Sequence, residues 1–202
     1  MALTLASLAA IGLGPIASAR EAEPLLAFYA AQRERLLAAA FLSALAWTGA
    51  FLVYLAALHQ MLRARGDETT ALLARVGFTG GLGSATAIGL AVFLGALAAW
   101  RTQDAGTLLL LRDASFLANS FTGIATAVCV LAFSPALRRV GLPRWLVALG
   151  VAVGAHHLAS AAALGWQGAW SPYGAVSLGA PLGMTLWVGC VAWLAWLRRH
   201  RL

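Results

Sequence analysis

Long apolar blocks separated by short polar connections dominate this sequence. Five of them approach the roughly 20 apolar residues that a helix needs to cross a bilayer: residues 37–58, 76–99, 114–134, 145–165 and 175–197. Hydrocarbon offers an unpaired backbone amide no partner, so a block inside a membrane must be helical. The pattern therefore predicts an all-α, polytopic membrane helical bundle of five or six transmembrane helices.

Residues 1–19 decide whether the number of transmembrane helices is five or six. This stretch is apolar, but it is short for a span and is interrupted by Gly12, Gly14 and Pro15. Residues 17–19 (Ala-Ser-Ala) resemble a signal-peptidase site, yet no Lys or Arg precedes the apolar run, as a signal peptide requires. We expect a short N-terminal transmembrane helix, and a cleaved signal peptide is the alternative.

The remaining chain divides into an extracytoplasmic segment, residues 20–36, and a transmembrane helical bundle, residues 37–202. The segment is rich in charge and contains Pro24, which the first turn of a helix tolerates. One interpretation places Leu25, Leu26, Phe28 and Tyr29 on the outer membrane surface. We favour the simpler one, in which the segment extends the first strong span as a helix.

Arginines alternate between the predicted connections and indicate the orientation. They cluster between the first and second strong spans, between the third and fourth, and at the C-terminus: Arg63, Arg65, Arg75, Arg138, Arg139, Arg144, Arg198, Arg199 and Arg201. The other two connections carry no net charge. By the positive-inside rule, the chain is expected to be a multi-pass protein of a bacterial inner membrane with its C-terminus in the cytoplasm.

Composition narrows the function classes. The chain of 202 residues is 61% hydrophobic and only 10% charged, against about 25% charged in soluble domains. The formal net charge of +7 lies in arginines that border the spans, so the expected partner of this charge is the lipid bilayer and not nucleic acid. Cys129 and Cys190 fall inside separate spans and form no zinc-binding spacing.

Small residues recur every fourth position in three of the spans, which lets neighbouring helix backbones approach closely. The predicted packing residues are Gly77, Gly81, Gly89, Gly150, Gly154, Gly179 and Gly183. Pro181 lies inside the last span and removes one helix hydrogen bond, so a kink is expected there. These faces can also serve a homo-oligomer or a membrane partner protein.

Polar side chains inside the spans are the candidate chemistry. Arg112 and Asp113 precede the third strong span, and we expect them to form an ion pair at its outer rim because a central charge is costly. Below them, one helix face combines Ser115, Asn119, Thr122, Thr126 and Cys129. At matching depth, the fourth span carries two histidines and a serine, and an intramembrane ionisable residue is a functional hypothesis by default. The predicted polar cluster is Asn119, Thr122, Thr126, His156, His157 and Ser160.

The sequence contains no enzyme motif: it has no H-E-x-x-H, no G-x-S-x-G, no P-loop and no paired carboxylates. We therefore expect a non-enzymatic membrane protein that packs against itself or a partner. A small transporter or permease with a polar path is the alternative, and a haem or metal electron carrier is the weakest. No metal site and no cofactor is predicted, since the remaining intramembrane histidine, His59, lies at another depth.

One stretch resembles known sequences. Residues 138–150, RRVGLPRWLVALG, combine a basic cluster with Gly, Pro, Arg and Trp ahead of a span. This is similar to a loop-to-helix join in uncharacterised multi-pass membrane proteins of GC-rich bacteria. The resemblance implies a multi-pass fold and transfers no functional residue.

Overall fold

The computed structural model describes residues 22–100, 104–162, 170 and 175–199, and throughout them the regular structure is helical. Its elements are α1 (Ala22–Ser43), a π-helical segment (Ala44–Ala50), α2 (Phe51–Arg65), α3 (Glu68–Trp100), α4 (Ala105–Arg139), α5 (Arg144–Ala161) and α6 (Ala175–Arg199). Because α1, the π-helical segment and α2 join without a break, the described residues form five helices. The prediction of an all-α fold is confirmed for these residues.

Within the part of the chain that the structure describes, four helical stretches are long and apolar enough to cross a membrane: Glu23–Arg65, Glu68–Trp100, Ala105–Arg139 and Gly179–Leu197. They correspond to four of the five predicted spans, so the chain has the architecture of a multi-pass membrane protein. The fourth predicted span, residues 145–165, corresponds to α5, which is 18 residues long and is not one of these four. A total of five or six spans stays a prediction, and residues 1–19 lie outside the described part.

The first helix extends well beyond its predicted span. It begins at Ala22 with Pro24 in its first turn, where the missing N–H costs no hydrogen bond. Leu25 is fully buried against Ala98 of α3 and Leu108 of α4. The start of α1 is thus covered by protein contacts at the far end of the α3–α4 hairpin.

The π-helical segment was not predicted from the sequence. Its seven residues, ALAWTGA, replace the i→i+4 pattern with a wider turn in the middle of the first helix. Within it, the Thr48 hydroxyl is buried without a hydrogen-bond partner among the described residues. The predicted span that contains this segment, residues 37–58, is apolar on nearly all sides, so its sequence has no polar stripe that a wider turn would visibly shift.

The helix that contains the third predicted span is longer than the span at both ends. The span was expected to begin at residue 114, whereas α4 begins at Ala105, where Asp104 caps it by accepting a 2.7 Å hydrogen bond from the Thr107 N–H. Leu108 is 1% exposed and packs inside the protein. The cap and this contact extend the helix two turns ahead of Arg112.

The core lies where α4 meets its neighbours. α4 packs against α3 along most of its length and against α5 on another side, while α6 packs chiefly against α5. Fully buried side chains from four helices fill the centre: Leu55, Leu62, Phe133, Leu137, Leu146, Met184 and Trp187. The polar residues of the candidate cluster therefore lie on the helix faces that hold the bundle together.

Two arginine-rich turns lie at the same end of the bundle. Arg139 at the end of α4 pairs with Asp67 in the α2–α3 turn, with 2.9 Å between Nη1 and Oδ2. The α4–α5 turn closes tightly because Gly141 adopts a φ of 91°, a left-handed conformation that favours glycine. The arginines predicted to be cytoplasmic in these two turns thus share one end of the molecule.

Loss of the Asp67 carboxylate is expected to weaken this end. Hydrogen bonds from the Thr70 hydroxyl (2.6 Å) and the Thr70 backbone N–H (2.8 Å) hold the pKa of the Asp67 carboxyl below its ordinary value of 3.8, and Arg139 lowers this pKa further. A depressed folded-state pKa contributes stability above the unfolded value, and this stability is lost as the pH falls through the folded-state pKa. The melting temperature should therefore fall by a few degrees on acidification to about pH 3.

The control is Asp67→Asn, which keeps a capping oxygen but has no charge to titrate. Its melting temperature should depend less on pH in this range than that of the wild type, and Asp67→Ala should be less stable than Asp67→Asn at neutral pH. Thermal unfolding in detergent, followed by tryptophan fluorescence, measures both differences. Identical acid profiles for the wild type and Asp67→Asn would contradict the assignment.

Candidate functional site

The hydroxyls of the predicted polar cluster on α4 form hydrogen bonds within the α3–α4 interface. Thr126 Oγ1 donates to the Thr122 carbonyl at 2.9 Å and lies 2.7 Å from Ser84 Oγ of α3. A hydroxyl has one hydrogen to donate, so Ser84 donates to Thr126. Both side chains are almost completely buried, at 1% and 3% exposed. The pair links α3 to α4 in the interior.

Two further α4 hydroxyls, those of Thr122 and Ser115, have backbone partners. Thr122 Oγ1 donates to the Ala118 carbonyl of its own helix at 3.1 Å. One side chain nearer the helix start, Ser115 Oγ, donates across the interface to the Ala91 carbonyl of α3 at 2.8 Å. These are the interhelical and intrahelical bonds that satisfy polar groups in a membrane interior.

The first histidine of the cluster joins α5 to α6. His156 Nε2 lies 2.7 Å from the Val176 carbonyl oxygen in the first turn of α6. A carbonyl only accepts, so Nε2 carries the hydrogen and the other ring nitrogen is the acceptor in the neutral ring. Gly179 makes room for this contact, because a Cβ there would lie 2.9 Å from His156 Cε1.

Beside this contact, a small groove opens between α5 and α6. Its volume is ≈ 160 Å³, and it is lined by Ala152, Val153, His156, Gly179, Ala180 and Gly183. Two of the predicted packing glycines of α6 thus lie in the groove. The α6 helix continues through Pro181, and the Thr185 hydroxyl donates to the Pro181 carbonyl at 2.8 Å.

The second histidine lies inside the bundle. His157 is 7% exposed, and its Nε2 is buried without a partner in the described part of the chain. Its backbone carbonyl lies directly against Gly123 of α4, so a Cβ at Gly123 would collide with it. Ser160, one turn further along α5, is half-buried. The α4 and α5 parts of the cluster are therefore at one level. However, the α4 side chain Thr126 bonds to α3, and the α5 side chain His156 bonds to α6.

Asn119 differs from the other members because it is exposed. Arg112 and Thr126 lie seven residues before and after it, on the same helix face, and they are only 6% and 3% exposed. The neighbours Leu117 and Phe121 lie about 200° around the helix from Asn119 and form the outward face, at 50% and 62% exposed. The inward face of α4 is thus buried at Arg112 and Thr126 but exposed between them, at Asn119.

The predicted packing glycines meet different neighbours. A Cβ at Gly77 would lie 2.8 Å from the Phe133 ring, and one at Gly81 would lie 2.5 Å from Leu55. The contacts of the remaining five are Leu131 for Gly154, Ser134 and Trp187 for Gly150, His156 for Gly179, and looser ones to Thr48 for Gly89 and to Val153 for Gly183. Five of the seven positions are thus too close to a neighbour for an added methyl group.

Two glycines at which helix backbones meet, Gly80 and Gly123, were not among the predicted packing residues. A Cβ at Gly80 would lie 2.7 Å from the Cys129 backbone nitrogen and 2.9 Å from the Ala125 carbonyl oxygen. Gly123 touches the α5 backbone in the same way. The Gly80–Gly81 pair was visible in the sequence, but the four-residue spacing selected only Gly81. The rotation of α3 about its axis decides which of the two faces α4.

Arg112 and Asp113 are paired two turns inside α4. The Asp113 Oδ1 lies 3.0 Å from Arg112 Nη2 and accepts a 3.1 Å hydrogen bond from Nε. The arginine side chain is 6% exposed and the aspartate 41%, while the Phe116 ring lies 6.0 Å below the guanidinium. The arginine is thus covered by protein, and its position relative to the membrane rim stays a prediction.

Ligands for a metal ion do not converge in the described residues, where no group of three or more His, Cys, Asp or Glu side chains is close enough to hold one. His59 stacks on Phe78 in another part of the bundle, and His156 Nε2 already bonds to a carbonyl. Cys129 and Cys190 are free thiols. These residues give no support to the haem or metal hypothesis.

Comparison with protein-family models, with curated proteins and with solved structures finds no match for this chain. Function must therefore be inferred from the residues and contacts described above.

Proposed function

We propose that this chain is a multi-pass protein of a bacterial inner membrane, with its C-terminus in the cytoplasm, that acts without catalysis. In this proposal it binds a second copy of itself or another membrane protein. The observation that carries the proposal is the open groove between α5 and α6, whose walls include Ala152, Gly179 and Gly183. Small residues let the backbone of a further helix approach closely, where van der Waals packing drives association in lipid.

The contacts of the polar cluster support a non-catalytic function. Thr122, Thr126 and Ser84 are engaged in hydrogen bonds that hold α3 and α4 together. His156 bonds α5 to α6. General acid–base or nucleophilic catalysis needs a group within reach of a substrate and a partner that activates it, and these side chains instead have structural partners.

Disulfide cross-linking in native membranes tests partner binding. Leu182 is 51% exposed and adjoins the groove residue Gly183, so Leu182→Cys in a Cys190→Ala background should give a cross-linked dimer or an adduct of higher mass. The matched control is Leu90→Cys on α3, which is also 51% exposed. Adding Gly183→Leu to fill the groove should abolish the cross-link. Equal cross-linking of both cysteines, or of neither, would count against a partner at this groove.

A second candidate function is a small transporter or permease, and the exposure of Asn119 on an inward face favours it. A water-filled opening at this level would place Asn119 next to Thr122, with His156 and His157 on the adjoining helix. The rest of such a path would have to open by helix movement, because Thr126 and His157 are buried.

Reaction with a membrane-impermeant thiol reagent distinguishes water from lipid at this position. Asn119→Cys should react in intact spheroplasts if the opening holds water, since thiolates form only in water. Leu117→Cys, on the opposite face and 50% exposed, is the control that should not react. If Asn119→Cys is as inert as Leu117→Cys, the opening contacts lipid or protein and the transport hypothesis fails. If it reacts, substitution of His157 should abolish flux without unfolding the protein.

A further inference from the structure

Two arginines lie near a ring stack at the arginine-rich end of α2 and α3. The rings of His59 on α2 and Phe78 on α3 stack with their centroids 5.0 Å apart. Arg63 lies one turn after His59, and Arg75 lies about one turn before Phe78. Because α2 and α3 run in opposite directions, both arginines lie on the same side of the stack, toward the turn at Gly66 and Asp67. The stack thus joins the two helix segments that carry them.

Neither guanidinium group forms an ion pair in the described part of the chain. The ion pairs there are Arg112 with Asp113 and Arg139 with Asp67. Asp67 is further engaged by Thr70. Both Arg63 and Arg75 are exposed. Two like charges repel each other most strongly where the dielectric constant falls, as at the edge of a bilayer, so an anion between them would be favourable.

Apolar surface continues from this site along the helices. Leu82 lies two turns above Arg75 on the same face of α3 and is 41% exposed. Ala56, one turn above His59 on α2, is also exposed. An anion held by the arginines can thus carry an apolar chain along Ala56 and Leu82. This combination of charge and apolar surface is that of a phospholipid and not of a free phosphate.

We propose that Arg63 and Arg75 bind the phosphate of an anionic glycerophospholipid, such as phosphatidylglycerol, in the cytoplasmic leaflet. Guanidinium groups match phosphate oxygens by paired hydrogen bonds, and the acyl chain lies along Ala56 and Leu82. His59 and Phe78 position the arginines without contacting the phosphate. The site rests on the proposed membrane orientation but not on partner binding at the α5–α6 groove, which lies on other helices.

Native mass spectrometry of the full chain, purified in a neutral detergent and titrated with phosphatidylglycerol, tests the site. The double variant Arg63→Gln/Arg75→Gln should lose the tightest lipid, with an affinity loss of roughly 30-fold if each arginine contributes the roughly fivefold share usual for basic residues near anionic lipid. The matched control is Arg65→Gln/Arg144→Gln, which removes the same charge from exposed positions at the same end. It should keep wild-type affinity.

The comparison of the two double variants, a displacement experiment and the single variants together decide the outcome. An equal loss in both double variants would show diffuse attraction and overturn the site, as would no loss in either. Displacement of the lipid by inorganic phosphate or by glycerophosphoglycerol would overturn the lipid assignment, because the acyl chain would then contribute nothing. If the double variant does not fold, the single variants Arg63→Gln and Arg75→Gln should each weaken binding roughly fivefold. Wild-type affinity in both single variants would also overturn the proposal.

Discussion

Gly80→Ala is expected to destabilise the bundle by about 1–2 kcal/mol, although alanine is the better helix former. The new methyl group would lie 2.7 Å from the Cys129 nitrogen and 2.9 Å from the Ala125 carbonyl oxygen, so it would meet the backbone of α4. A flexible side chain can turn aside, whereas a helix backbone can only move as a whole. Overpacking of this kind costs about 1–3 kcal/mol, which exceeds the roughly 0.5–1 kcal/mol that alanine gains over glycine within a helix.

The control is the same substitution three residues along α3. At Gly83 the nearest atom to a new Cβ is the Ala125 Cβ, at 3.4 Å, so Gly83→Ala should be neutral or slightly stabilising. Unfolding in mixed micelles of increasing sodium dodecyl sulfate content measures both free energies. Equal effects of the two variants would mean that α3 and α4 are not in backbone contact at Gly80.

Trp187→Ala is expected to lower the free energy of unfolding by about 3–5 kcal/mol, the range for removing a large aromatic side chain from a core. Trp187 is fully buried where α4, α5 and α6 meet, beside Ser134 and Gly150. The neighbouring helices cannot close the space, because Gly150 already brings α5 against both side chains. The loss should therefore lie in the upper part of this range.

Trp187→Phe separates packing from hydrogen bonding. The indole Nε1 is buried without a partner among the described residues, so phenylalanine removes no hydrogen bond and keeps most of the ring volume. We expect it to cost less than about 1.5 kcal/mol. A cost equal to that of Trp187→Ala would indicate that the N–H is bonded, and Ser134→Ala would then identify the acceptor, since Ser134 Oγ lies beside the same glycine.

Local sequence patterns predicted the helices better than they predicted where each begins. The block that we expected to begin at residue 114 is part of a helix that begins at Ala105, because Asp104 caps it and Leu108 packs against α1. Charge did not determine where this helix begins. Arg112 is 6% exposed and covered by protein, so it can lie inside the helix without facing lipid, and the position of Arg112 and Asp113 relative to the membrane rim stays a prediction.

The candidate cluster shows the same limit. Helical spacing places Thr122, Thr126 and Asn119 on neighbouring faces of α4, and depth matching places the histidines of α5 at their level. Neither helical spacing nor depth matching reveals which neighbouring helix each side chain contacts. In the folded chain the threonine hydroxyls bond within α4 and to α3, His156 bonds to α6, and Asn119 is exposed.

The sequence by itself determined that this chain is helical and built for a membrane, because apolar blocks of bilayer length leave the backbone no other way to satisfy its hydrogen bonds. It also determined which turns carry the arginines. Only the tertiary structure decided that Gly80 and Gly123 are the points of backbone contact and that His156 connects two helices. It also placed Arg63 and Arg75 on the same side of one ring stack. The reason is physical: composition and periodicity fix the faces of one helix, whereas the rotation and register between two helices depend on the shapes of both.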